Sequence, residues 1–389
     1  MTGNQEAFRG KYFHISGSAS AKTATGLIVY AHQLVTEIAS RVVEHGGGLV
    51  LFAGNEPRQI GADQSSPALL FDWTALETAA KVLNTRARTE GAKPAIIVVL
   101  SEKSEDEIPA DRQQLWRDLL KSGDLRVECI LPGARSGAMI RDRQAQFGDV
   151  LLCLGGGTGV EHLADAYTAR RKPVIPLDLP LGASHEDGMG GAVKLNREAR
   201  ANPNDFIRLQ PEQQSMGAAL LALLSTKAGK QDISEVVANL ITLVGALDRP
   251  VAFYVRLLNS SMADFADVER FFRDVVDPTV GGLGYRRVEM GTDASRHGFM
   301  NVEIFETIHF AEVVTVDVTG LRPNCFIELG YALGRGARVI VTAKQGTPLP
   351  FDQQAIPCFF WNPVTPTSDT QREFADFIEK NLNRPGLVK

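Results

Sequence analysis

Between residues 12 and 176 short apolar runs alternate with longer stretches in which apolar residues return every three or four positions. The short runs cover residues 12–15, 48–52, 95–100, 127–130, 150–154 and 174–176. They are too continuously apolar to expose one face, so they read as parallel strands covered on both sides by helices. Residues 31–44 carry Leu34, Ile38 and Val42 at helical spacing and stop at Gly46-Gly47-Gly48. From 211 to 247 only helical pattern continues, with a polar break at 226–232 between two apolar segments. After Asp248-Arg249-Pro250 the alternation restarts, with strands at 251–258 and 313–316 and helices at 264–276 and 302–312. The pattern predicts an α/β chain of two Rossmann-like domains, each a mostly parallel sheet flanked by helices. The expected division is 1–228 and 248–389, joined by a linker helix over 229–247.

With 389 residues, 44% of them hydrophobic, the chain is long enough for two cores. A net charge of -5 leaves no basic surplus for a phosphate backbone, so nucleic acid is not an expected partner and a small anionic ligand is. Cys129, Cys153, Cys325 and Cys358 form no CxxC pair and have no histidine at metal spacing, so buried thiols and no metal are expected. The first 20 residues hold no apolar leader and no run of about 18 apolar residues occurs, which predicts a cytoplasmic protein with no membrane partner. The apolar segment 233–247 asks for a covering surface, supplied by its own domain or by a second copy in a homo-oligomer.

Two loops of the first half carry chemistry. "ISGSASAKTATG" follows the first strand, and Gly17 and Ser18 offer a tight bend, amides and a hydroxyl to an anion. "DVLLCLGGGTGVEHLADAY" places Gly155, Gly156, Gly157, Thr158 and Glu161 between a buried strand and a helix. Adjacent glycines cost backbone entropy, and the helix N-terminus beyond them favours phosphate. The spacing is not the dinucleotide GxGxxG. Arg135, Arg141 and Arg143 precede this loop, and Lys194 and Arg197 follow it, as candidate phosphate ligands. His185, Glu186 and Asp187 read as a polar loop rather than a metal site.

Together these loops, over about residues 8–225, resemble the SLOG superfamily, which joins Smf/DprA proteins with LOG-type phosphoribohydrolases. The family's Pro-Gly-Gly-x-Gly-Thr-x-x-Glu loop is similar to 154–162, and "MIRDRQAQFGD" to its arginine-bearing helix. Leu154 replaces the proline, Thr158-Gly159 inverts the Gly-Thr order, His162 stands at the hydrolase glutamate, and Arg143-Gln144 replaces Arg-Lys. The resemblance implies a nucleotide-binding module that has lost LOG chemistry. It is most similar to the SLOG variants beside sirtuin-like or TIR NADase domains in bacterial anti-phage systems, which sense cyclic ADP-ribose-type signals.

In the second half, "DVTGLRPNCFIELGYALGRG" over 317–336 resembles the Asp-x-Thr-Gly-x-x-Pro-Asn-x-x-x-Glu-Leu-Gly-Tyr-Ala motif of nucleoside 2-deoxyribosyltransferase-like domains, relatives of TIR-type domains. The similarity covers about 250–362 and includes "PLPFD" at 348–352. It implies Glu328 as the nucleophile at the anomeric carbon and Asp317 as an orienting acid. Asn324 belongs to the same turn, and Phe253 or Tyr254 matches the family's first-strand aromatic. Arg256-Leu257-Leu258 departs from the Met-Pro-Phe that relatives often carry. Cleaving an N-glycosidic bond builds oxocarbenium charge that a carboxylate stabilises or captures. The expected function is a sensor-effector: the first domain binds a nucleotide signal, and the second cleaves NAD or a related nucleotide without a cofactor. A non-catalytic nucleotide-binding protein acting by oligomerisation, and a LOG-like phosphoribohydrolase, are the alternatives.

Overall fold

The computed structural model describes residues 7–58, 66–85, 93–131, 133, 136–182, 189–288, 300–350 and 356–382. The candidates Arg135, His185, Glu186 and Asp187, and the 351–352 part of "PLPFD", lie outside the described residues. The chain divides into two compact units, Met1–Asp248 and Arg249–Lys389.

The first unit is built on six parallel strands: β1 (Tyr12–Ser18), β2 (Gly48–Leu51), β3 (Ile96–Ser101), β4 (Leu125–Ile130), β5 (Val150–Gly155) and β6 (Val174–Pro176). Their order, β4-β3-β2-β1-β5-β6, reverses direction between β1 and β5. Such a reversal opens a crevice at the C-terminal strand ends, where doubly wound sheets hold ligands. Register sets Gly17 beside Leu154 and Ser18 beside Gly155 at that crevice. Phe13 and Ile15 of β1 point into the core that contains Leu34, Val35 and Ile38. Strand alternation sends His14, Ser16 and Ser18 to the opposite face, toward the helices Ser136–Phe147 and Thr158–Thr168.

The stretch 229–247, expected to link the domains, belongs to the first unit. Its helix Ile233–Ala246 buries Val236, Leu240, Leu243 and Val244 in the same core as Ile28 and Leu34. Tyr30 donates from its hydroxyl to the Gln231 carbonyl at 2.9 Å, and Leu209 bridges to Leu247. The apolar face that asked for a covering surface is covered within its own unit. Cys129 is exposed, against the expectation of buried thiols, near the C-terminal end of the edge strand β4.

The second unit has five parallel strands: β7 (Val251–Val255), β8 (Arg286–Val288), β9 (Val313–Asp317), β10 (Arg338–Lys344) and β11 (Cys358–Trp361). Their order is β11-β10-β9-β7-β8, again with a reversal beside the first strand of the unit. β7 divides its side chains between two cores. Ala252 and Tyr254 pack with Phe271, Phe272 and Trp361, while Phe253 and Val255 pack with Cys325, Leu329 and Ala332 of the helix Pro323–Gly334.

Leu240→Ala is expected to destabilise the first unit by about 2–5 kcal/mol, the cost of a core cavity, measured as a lowered urea midpoint. An unchanged midpoint would show the helix to be a connector after all.

Candidate functional site

A cavity of about 400 Å³ opens at the β1–β5 crevice, within the size range of small-ligand pockets. Its walls include Ser16, Gly17 and Ser18 from β1, Gly156 to Val160 from the glycine loop, and Gly137, Ile140, Arg141 and Gln144 from one face of the helix Ser136–Phe147. The remaining walls are His14, Phe52, Leu70, Asp72 and Leu163.

The glycines are required here by backbone geometry. Gly155 and Gly156 are left-handed, at φ 60° and 65°. A Cβ on Gly17 would lie 1.7 Å from the Leu154 carbonyl oxygen, one on Gly155 2.4 Å from that of Ser18, and one on Gly156 2.2 Å from Val160 Cγ2. Backbone bonds then fix the loop: the Gly156 amide donates to the Ser18 carbonyl at 2.8 Å, and Gly191 donates to the Gly156 carbonyl at 2.8 Å. Beyond the loop the helix Thr158–Thr168 directs its N-terminus to the cavity, with Thr158 exposed there.

Of the candidate cations, Arg141 lines this cavity. Its Nη1 would stand 3.7 Å from a Cβ on Gly159, and its Nε donates to Nδ1 of His162 at 3.3 Å. Arg143 is turned away: it bonds Glu128 at 3.0 Å and lies 4.7 Å over the Phe147 ring. Residues two positions apart on a helix point about 200° from one another, so Arg141 and Arg143 leave the helix on opposite sides. Lys194 and Glu161 form an ion pair of 2.8 Å with each other, and this contact raises the Lys194 pKa. Another hollow, of about 410 Å³, is lined by Arg58 and Arg112, whose guanidiniums already pair with Glu56 at 2.7 and 3.2 Å.

Three groups in the main cavity were not singled out from the sequence. Asp72 begins the helix Asp72–Leu83 and accepts from the Phe52 amide at 2.9 Å. Desolvation of its carboxyl outweighs the bonds from the Phe52 amide and its own amide and pushes its pKa up to about 7. His14 is buried and bonds the Tyr167 hydroxyl through Nδ1 at 3.2 Å; burial lowers its pKa to about 3, so it is neutral. Gln144 is buried with its side chain at the cavity wall. Their signal is long-range: Asp72 and the glycine loop are 83 residues apart and meet only through the sheet order.

In the second unit the motif residues separate. Asp317 is fully buried at the end of β9 and accepts from Thr342 Oγ1 at 2.8 Å, Trp361 Nε1 at 3.0 Å and the Thr319 amide at 3.1 Å. Burial raises its pKa against those bonds, and the carboxylate ties three segments together from inside the sheet. Glu328 is partly buried on the helix Pro323–Gly334, and burial raises its pKa while the charge of Arg322 opposes the rise. Arg322 has buried Nε and Nη2 atoms with no hydrogen-bond partner among the described residues. Asn324 is exposed on the first turn. Tyr254 packs edge-on against Phe272 at 5.3 Å, in the core opposite the one that seats the Glu328 helix. Among the described residues no group of three or more His, Cys, Asp or Glu could hold a metal, and no helix is long and apolar enough to cross a membrane.

Asp72 gives the first unit a pH signature. Its folded pKa of about 7 lies above the unfolded value of about 3.9. The native state therefore binds the extra proton, and the stability this supplies is complete below about pH 4 and lost as pH rises through about 7. Asp72→Asn keeps the acceptor for Phe52 and cannot titrate. Thermal unfolding from pH 4 to 8 is expected to show the variant gaining on the wild type as pH rises. A constant difference would refute the assignment.

The chain resembles known proteins over part of its length. Two curated relatives, both ATP nucleosidase Cap17 from Escherichia coli and one of them from strain KTE188, are 25% identical over 231 residues. The alignment takes in 59% of this chain and 44% of theirs, so the chain spans less than half the length of those relatives. Among solved structures, DNA processing protein A from Helicobacter pylori aligns with 51% of this chain and 75% of its own, at 14% identity and a TM-score of 0.31. The molybdenum cofactor carrier protein of Chlamydomonas reinhardtii aligns with 61% of this chain and 99% of its own, at 19% identity and a TM-score of 0.29. The family described as ATP nucleosidase Cap17-like, N-terminal, matches residues 8–244, more than half of the sequence, and the chain belongs to that family.

Proposed function

We propose that the protein is a nucleosidase-type anti-phage effector whose first unit binds an adenine nucleotide and whose second unit breaks an N-glycosidic bond. The observation that carries the reading is the β1–β5 cavity, where a rigid glycine loop, a helix N-terminus and the Arg141 guanidinium converge on a space the size of a nucleotide. Amides and a guanidinium around one space favour phosphate through charge-assisted bonds. Adenine is favoured because the relatives that share this unit are named ATP nucleosidases. NAD and cyclic ADP-ribose-type signals fall in the same ligand class.

In the second unit Glu328 is the carboxyl suited to the chemistry. As a carboxylate it attacks C1′ of the ribose, the C1′–N bond breaks, and the base leaves with the bonding pair. Water then cleaves the ester at C1′ and restores the carboxylate. A nicotinamide leaving group is already cationic and needs no proton. Asp317 holds the end of β9 beneath this helix.

A second reading is favoured by Asp72. A carboxyl with its pKa near neutrality can act as a general acid, and this one faces the cavity of the family-matched unit, so the bond would break in the first unit.

Incubation with ATP, NAD and nucleoside monophosphates, followed by chromatography of released bases, separates these readings. Glu328→Gln is expected to lower base release by about 10²–10⁴-fold, with nucleotide binding unchanged. Arg141→Ala is expected to raise the nucleotide concentration required by about 10- to 100-fold. Release that survives Glu328→Gln and disappears in Asp72→Asn would transfer the chemistry to the first unit. Release unaffected by either would overturn both.

A further inference from the structure

Gln144 is a polar side chain in the first cavity that holds nothing in the fold. It is 4% exposed, yet its carboxamide makes no hydrogen bond among the described residues. It does line the cavity. The side chain has no partner in the fold and borders the open space of this cavity, so its donor and acceptor are left to whatever occupies that space.

Its position on the helix says which part of a ligand it meets. Arg141 and Gln144 are three residues apart and both face the cavity, and such neighbours have Cβ atoms about 5–6 Å apart. Arg141 lies by Gly159 at the glycine-loop end. Gln144 is the more deeply buried, on the helical turn whose backbone carbonyl accepts from the Tyr167 hydroxyl, the same hydroxyl that meets His14. A phosphate at Arg141 therefore places the base end of a nucleotide toward Gln144, with the sugar between. Phe52, also in the wall, offers a ring to the base. His14 is neutral and brings no charge to that end.

A carboxamide presents an acceptor and a donor side by side. Adenine matches it with its 6-amino hydrogen and N7, the pairing that glutamine makes with adenine elsewhere. A 6-oxopurine offers two acceptors at that edge, so the amide can serve one of them while its oxygen faces the other. We infer that Gln144 is the base-selecting residue of the cavity and favours a 6-aminopurine nucleotide over a 6-oxopurine one. The inference rests on the reading that this cavity binds a nucleotide.

Titration calorimetry with AMP and with IMP, which differ in the group at the 6-position, tests it. The wild type is expected to bind AMP about 5- to 150-fold more tightly, the range one two-bond contact supplies. Gln144→Met keeps the length and loses the hydrogen bonds. It is expected to bring the AMP to IMP ratio to about one, with the loss confined to AMP. Gln144→Leu is a second variant should the thioether disturb folding, and thermal unfolding checks both. Arg141→Ala is expected to weaken AMP and IMP alike and to keep their ratio. If the wild type binds both equally, or Gln144→Met retains the preference, Gln144 does not select the base and the nucleotide cavity stands. If the wild type binds neither AMP nor IMP, the cavity reading falls and this inference with it.

Discussion

The close approach of β1 and β5 is the constraint on which the first unit's site depends. Gly17 and Gly155 meet the backbone of the opposite strand at distances that leave no room for a Cβ. The two glycines leave bare peptide groups at the strand ends, and neighbouring backbone groups tie the loop in a chain of bonds from Ser18 through Gly156 to Gly191. The loop is thereby set before any ligand arrives. A preset loop spares the ordering entropy that binding would otherwise cost, so the polar contacts of a ligand are expressed as affinity.

Helix periodicity then decides which side chains face that floor. On Ser136–Phe147 the positions 137, 140, 141 and 144 share a face, the i, i+3, i+4, i+7 spacing of a helical stripe. The resemblance to a known motif had placed Arg143 among the phosphate ligands, but that residue lies across the helix and is held by Glu128 and Phe147. The same geometry gives Gln144, which the motif comparison treated only as a departure, a place in the wall. Motif order along a chain does not encode direction; the turn of the helix does.

Most of the sheet was legible because parallel strands buried on both faces leave continuous apolar runs. β8, with the sequence Arg286-Arg287-Val288, leaves none: it is a three-residue edge strand with two exposed arginines. The glycine loop was legible as a strand-to-helix junction that needs glycine, and the reason for its glycines is packing against Ser18 and Val160. Asp72 was not legible, since the residues it joins come from separate crossovers. Tyr254 shows the opposite difficulty. Its type suited a sugar site, while strand alternation committed it to the core across the sheet from Glu328.

Burial alone raises the pKa of all three carboxyls, Asp72, Asp317 and Glu328, so desolvation does not separate a supporting group from a reacting one. The number of donors does. Asp317 accepts from an amide, a hydroxyl and an indole, and each bond favours its ionised form and fixes its orientation. Reaction at that carboxylate would break contacts that hold β9, β10 and β11 together. Asp72 accepts from the Phe52 amide and its own, and Glu328 accepts no hydrogen bond among the described residues while lying near the unpaired guanidinium edge of Arg322. A carboxyl with few commitments can take up or release a proton, or form a bond to carbon, without dismantling its surroundings. By that difference Asp317 is tied into the framework of the second unit, while Asp72 and Glu328 carry fewer hydrogen bonds.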